Sequence, residues 1–317
     1  MQDRKYRLRN WAQYNQSLIK RGSITLWMDE SAIKNWLSFS ATGKSERPET
    51  YSDEAILMLL VLRERWNLTL RTLVGFVASL FEKMGIALPV PSYSQISRRA
   101  QTLHKKIEQL TRKGVQHIIF DSTGLKVYGE GEWKVKIHGK GKRRTWRKFH
   151  VGIDAETQEI ITCELTSNSE GDAATANKML KRIPGRLKSI RGDGAYDASE
   201  LRKTGHLKGA KMIVPPPKNA TYKGSTDGWE RERDASLAEI EGLGGGQEGR
   251  KLWKKLIGYH KRSLVETTIF RVKRMLGERL KARSSGAQRT EVICKCLVIN
   301  KMNKIGLPKG QWVLKAA

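Results

Sequence analysis

At 317 residues and 38% hydrophobic content, the chain has the length of two domains and is too apolar to be disordered. Its 60 Lys and Arg against 32 Asp and Glu leave a formal net charge of +28, a surface built to meet a polyanion, nucleic acid first. A membrane partner and a secreted, disulfide-linked fold are excluded as expectations: no long apolar run occurs, the opening MQDRKYRLRNW has no signal core, and three cysteines (Cys163, Cys294, Cys296) read as buried thiols of a reducing cytoplasm, with no zinc site.

Residues 1–112 read as all-helical. Ser52 caps an apolar-periodic run from Ile56 to Leu62, and Asn67-Leu-Thr opens a second run through Leu73, Val77 and Phe81 to Gly85. After the turn Pro89-Val-Pro-Ser, Ser92 or Ser94 caps a short helix carrying Gln95, Arg98 and Arg99. Helix, helix, turn and a short Arg/Gln helix over 52–103 is the pattern of a helix-turn-helix DNA reader.

From 113 the period changes from helical to strand-like. Val115–Phe120 is a buried strand with Asp121 at its end. A basic hairpin over 133–148 follows, with Lys134, Lys136, Lys140, Lys142, Arg143, Arg144, Arg147 and Lys148 interleaved by Trp133 and Trp146 and no acid among them. Such a ribbon binds phosphates, and its indoles can stack on splayed bases. These contacts position DNA without reading its sequence, a task left to the N-terminal helices. Two more strands come next, 149–153 and 159–165, joined by a turn at Asp154. A helix starts at Asp172, the strand 188–191 leads to Asp193 in Gly-Asp-Gly-Ala-Tyr-Asp, and Asp197-x-x-Glu200 reads as a capping box for the next helix. After a strand at 212–214, residues 220–250 form a polar, Gly-rich flexible connection.

The most informative residues are Tyr259, Arg262, Glu266 and Lys273, spaced Y-x2-R-x3-E-x6-K. At roughly 100° per residue they share one narrow stripe of a helix. Val265, Ile269, Val272 and Leu276 form a separate docking stripe. A last helix carries Ile293, Leu297, Val298 and Ile299.

Three antiparallel strands, a helix, then strand–helix–strand–helix is the order of a ribonuclease H-like mixed α/β sheet, whose first and fourth strands lie parallel and adjacent. That order brings Asp121 and Asp193 together at the sheet rim, and a helix packed across it adds Glu266. Converging carboxylates repel unless a cation lies between them, and their oxygens suit Mg²⁺ or Mn²⁺, with two ions per site serving phosphodiester chemistry.

With Asp121 in Phe-Asp-Ser-Thr-Gly, Asp193 in Gly-Asp-Gly-Ala-Tyr-Asp and the full spaced signature around Glu266, the chain resembles the DDE transposases of bacterial insertion sequences, in the branch bearing the Y-R-E-K signature. The opening Arg-Asn-Trp-Ala-Gln-Tyr-Asn extends the likeness over nearly the whole length. The resemblance implies that Asp121, Asp193 and Glu266 are the catalytic metal ligands, and that Tyr259, Arg262 and Lys273 grip DNA near the cut. Some relatives carry a β-rich insertion before the Glu helix; the segment between Pro217 and Trp253 is too short for one. The expectation is a helical DNA-binding domain (1–112) ahead of a ribonuclease H-like catalytic domain (113–317). This transposase would bind the terminal inverted repeats of its element, hydrolyse phosphodiester bonds and join the 3′-hydroxyl ends to target DNA. It would work as a homodimer or larger synaptic complex, in the bacterial cytoplasm and associated with the nucleoid. The rivals are a metal-dependent nuclease that cuts without joining, and a non-catalytic DNA-binding regulator derived from a transposase.

Overall fold

The computed structural model describes residues 4–38, 51–107, 110, 114–127 and 146–314. Of the basic hairpin, Lys134, Lys136, Lys140, Lys142, Arg143, Arg144 and Trp133 lie outside the described residues; Trp146, Arg147 and Lys148 lie within them.

A mixed sheet carries the site. Its strands β2 (His117–Val127), β3 (Trp146–Asp154), β4 (Ile160–Thr166), β5 (Ser189–Arg191) and β6 (Lys211–Ile213) stand in the order β4-β3-β2-β5-β6. The first three are antiparallel neighbours, whereas β5 and β6 run parallel to β2. This is the ribonuclease H-like order expected from the sequence. A short strand β7 (Arg279–Leu280) pairs with the far end of β2 at Lys126 and Val127. The first strand in the chain, β1 (Arg4–Leu8), pairs instead with the last, β8 (Gly310–Leu314), a two-stranded sheet that the helical reading of residues 1–112 did not contain.

Side chains alternate across β2, so its two faces bury different partners. Ile118 and Phe120 join Met179, Leu180 and Leu201 from α7 (Asp172–Arg182) and α8 (Ser199–Leu207). Ile119 and Leu125 join Val265, Ile269 and Val272 of α11 (Ser263–Leu276) and Val292 to Met302 of α12 (Ser285–Ile305). That second core continues without a break into the N-terminal helices α4 (Asp53–Arg65), α5 (Leu70–Met84) and α6 (Tyr93–Ala100), which bury Ile56, Leu59, Leu73, Val77, Phe81 and Ile96. Shorter helices α1 (Trp11–Lys20), α2 (Ile24–Trp27) and α3 (Glu30–Lys34) precede them.

Local chemistry sets these ends as the sequence indicates. Ser52 accepts from Ala55 N–H, Thr69 opens α5, and Gly85 closes it at φ 65° in the left-handed region. Three expectations fail. Asp121 is not at a strand end: β2 runs six residues further because β3 pairs with it throughout, from Ile118 to Lys126. Asp197 caps nothing; the capping position of helix α8 is Ala198, which has no side-chain cap to offer, and Asp197 is buried in an ion cluster with Arg202 and Arg233. Residues 220–250 are not a flexible link. They hold α9 (Gly228–Gly242) and the start of α10 (Gly246–Leu256), turned by Gly244 and Gly245 at positive φ. The glycines are the corner of a helical hairpin, the kind of position where only a residue without Cβ is unstrained.

Candidate active site

The sheet register explains why two aspartates separated in sequence meet. Strand β5 pairs with β2 at Ile119↔Arg191 and then ends. Two residues beyond that pair, Asp121 on β2 and Asp193 after β5 stand level, and beyond Arg191 β5 no longer covers the β2 edge. Asp193 is fixed by its own turn, its Oδ1 accepting from Ala195 N–H at 2.9 Å. Gly192 before it is required by packing: a Cβ there would lie 2.7 Å from the Tyr196 ring, which stacks on Phe120.

Helix α11 supplies the third carboxylate from its first turn. The four-residue stripe is not one continuous α-helix. Gly258, left-handed at φ 67°, starts a 3₁₀ turn over Tyr259–Arg262, and the α-helix proper begins at Ser263. The turn still delivers Arg262 to the acids: its guanidinium lies 3.7 Å from Asp121 and pairs with Glu266. Tyr259 lies under two cations, Lys254 Nζ at 5.2 Å and Arg262 at 5.8 Å from its ring. Lys254, on α10, was not among the residues the sequence singled out.

The electrostatics agree with the geometry. Burial pushes the Asp121 carboxyl above the usual carboxylate range; the Asp193 and Glu266 charges add to this, while Ser122 N–H (2.8 Å to Oδ1) and Arg262 oppose it. Burial likewise raises the Tyr259 phenol. The site is a half-buried carboxylate group with too little positive charge of its own.

The donors are carboxylates alone, without thiol or imidazole, which is the hard-oxygen chemistry of Mg²⁺ and Mn²⁺. Among the described residues no three His, Cys, Asp or Glu stand close enough to grip one ion. Arg262 fills the space between Asp121 and Glu266, so a cation there would take over the neutralising role that its guanidinium now performs. On donor chemistry the residues fit the metal.

On the opposite face of β2, a polar layer underlies the site that the sequence did not reveal. Ser122 hydrogen-bonds Asp172, at the start of α7. Asp172 also receives Lys148 Nζ at 2.9 Å and stands 3.4 Å from His150 Nδ1. His150 Nε2 and Thr166 Oγ1 are 2.9 Å apart, and His150 is buried, so its pKa falls. Lys148, expected on phosphates, is thus engaged by Asp172. Lys126 Nζ lies 5.6 Å over the half-buried Trp146 ring, and Arg147 keeps a buried Nε without a hydrogen-bond partner.

The expected DNA-reading side chains on α6 also divide. Gln95 closes a capping box, its Oε1 accepting from Ser92 N–H at 2.9 Å. Arg99 donates to Asp53 at 2.5 Å and to Tyr51 O at 2.8 Å. Arg98 remains exposed, while the Tyr93 ring at the start of α6 lies 4.4 Å from the Arg71 guanidinium. Lys273 is half-buried on the Glu266 side of α11.

Two sequence-family models match, both described as a Transposase DDE domain: one over residues 19–130, the other over 112–301, more than half the chain and all three acids. Among solved structures, the chain is similar to the piggyBac transposase synaptic complex with hairpin DNA, at 11% identity over 94% of this chain and 78% of that one, with a TM-score of 0.43. It is also similar to the Mos1 strand transfer complex, at 14% identity over 72% and 81%, with a TM-score of 0.22. Both superpositions are loose.

Proposed function

Because the chain belongs to the DDE transposase family and is an enzyme of that type, we propose that it binds the terminal inverted repeats of its own insertion sequence, cuts there, and joins the freed 3′ ends to target DNA. The observation that carries this reading is Arg262 placed between Asp121 and Glu266, with Asp193 following β5 where that strand leaves the β2 edge open.

Divalent metal belongs to the family's chemistry, and here Asp121, Asp193 and Glu266 would hold Mg²⁺ or Mn²⁺, two ions in the full site. Bound there, such ions lower the pKa of the attacking hydroxyl and stabilise the leaving oxygen. The chain's own groups do the rest. Arg262, displaced from the acids, faces the phosphate that replaces them as its anionic partner. Lys254 and Tyr259 flank the same phosphate, and Lys273 holds the strand further along α11. Ser122 N–H fixes the Asp121 carboxylate orientation, and the Ala195 N–H does the same for Asp193.

We assign phosphate contact to the 133–148 ribbon, through Lys134, Lys136, Lys140, Lys142, Arg143, Arg144 and Arg147, with Trp146 beside them, and base reading to residues 1–112 through Arg98. Joining two ends requires two chains, hence a homodimer or larger synaptic complex. No helix among the described residues is long and apolar enough to cross a membrane, which accords with action on DNA in the bacterial cytoplasm, at the nucleoid.

The test is Mg²⁺-dependent cleavage and strand transfer on a labelled duplex carrying the element's end, wild type beside Glu266→Gln. Joined products from wild type, with binding kept and cleavage reduced at least about 10³-fold in the variant, support the proposal. Cutting without joining would identify a nuclease; binding without chemistry in both would identify a regulator.

A further inference from the structure

The catalytic helix leaves one large apolar side chain outside. Helix α11 buries Val265, Thr268, Ile269, Val272 and Leu276 on one side, yet Phe270 is 65% exposed. At 100° and 1.5 Å per residue, Phe270 stands about 40° round from Glu266 and about 6 Å further along the axis. It shares the open face with Glu266, Lys273 and Arg274. Met275 is also exposed (42%), but it points about 140° away from Phe270. On α11 the ring's neighbours are thus Lys273 and Arg274 one turn on and Glu266 and Thr267 one turn back, with no exposed apolar side chain among them. An aromatic face set among positive charges is the arrangement that holds single-stranded nucleic acid.

We propose that Phe270 is a nucleobase-stacking subsite, taking an unstacked base of the strand whose phosphate lies at Asp121, Asp193 and Glu266, while Lys273 and Arg274 hold the adjoining phosphates. The distance suits this, since about 6 Å is less than two stacked nucleotide steps of about 3.4 Å. The subsite tolerates any base, because each offers a π face. It also stabilises an opened end over a closed duplex, the state in which a terminal phosphodiester can reach carboxylates recessed at a sheet rim. The proposal rests on the reading that the Glu266 face receives DNA.

The experiment compares binding of two probes by fluorescence anisotropy, without divalent metal so that no strand is cut. Both are 30-base-pair duplexes with the last two pairs mismatched; in the second, one strand of that frayed end carries abasic sites. Wild type is expected to bind the base-bearing probe at least about fivefold more tightly. Phe270→Ala, which removes an exposed ring and so keeps the wild-type Tm, binds both equally, and Phe270→Trp restores the preference. A preference that persists in Phe270→Ala, or is absent from wild type that binds both probes, overturns the subsite and leaves the proposed function standing. Failure of wild type to bind either probe overturns both.

Discussion

The buried Asp197 offers the sharpest test of how the helical hairpin is held beside the acids. Its carboxylate, 1% exposed, receives Arg202 Nε, itself 2% exposed, and Arg233 Nε at 3.3 Å. Arg202 continues to Val214 O at 3.2 Å and Arg233 to Thr221 O at 3.0 Å. One anion therefore ties α8, the segment after β6 and α9 together, four residues after Asp193. Asp197→Asn keeps the shape and removes the charge, leaving two guanidinium groups buried without a counter-ion. Loss of one partner of a buried pair costs about 3–5 kcal/mol. At roughly 2 °C per kcal/mol for a chain of this size, the Tm should fall by roughly 6–10 °C, read by circular dichroism. The double variant Asp197→Leu/Arg202→Met, which removes the deepest charges together, should recover most of the loss. A fall of less than about 2 °C in Asp197→Asn would refute the claim that this ion cluster anchors the hairpin.

Three further results are expected. Lys148→Met should lower stability by about 1–3 kcal/mol while leaving the salt dependence of DNA binding unchanged, because its ammonium serves Asp172. By contrast, Arg98→Ala should cost about 1–3 kcal/mol of binding to the element's end and relax its sequence preference, since that exposed guanidinium is assigned to a base edge. Titration of His150 sets a pH dependence. Burial lowers its pKa below the ordinary 6.5, against the pull of Asp172, Glu170 and Glu164 and with that of Lys148. The folded state then binds fewer protons than the unfolded one, so this stability is fully present above about pH 6.5 and is lost as pH falls toward the lowered value. His104 and His117 are shifted the same way. Melting at pH 7.5 and 5.5 should show a drop that shrinks in His150→Gln; an unchanged drop would exclude His150 as its source.

What was legible in the chain was whatever depends on short range or on strand order. Ser52, Thr69, Ser92 and Gly85 act within four residues of themselves, and apolar runs with their turns were enough to order β2 to β6 and so to bring Asp121 beside Asp193. What stayed hidden depends on partners far along the sequence. Arg99 looks like a base reader until Asp53, 46 residues away, takes it, and Lys148 looks like a phosphate contact until Asp172 does. Helix α9 buries only Ser236, Leu237 and Ile240, too thin a stripe to stand out against the glycines that follow. Phe270 falls outside the apolar stripe of α11, but its 65% exposure emerges only once α11 is packed against β2.

The seat of the N-terminal helices on α12 has a consequence for partial chains. Thr290 Oγ1 donates to Ala100 O at 2.7 Å and accepts from His104 N–H at 3.1 Å, and one apolar cluster spans Ile56 and Leu59 through Val298 and Met302. A polypeptide stopped before Ser285 would leave in water the faces of α4 and α6 that pack on α12. Short products of interrupted synthesis should thus fold poorly and, on the proposed function, make poor occupants of the element's ends.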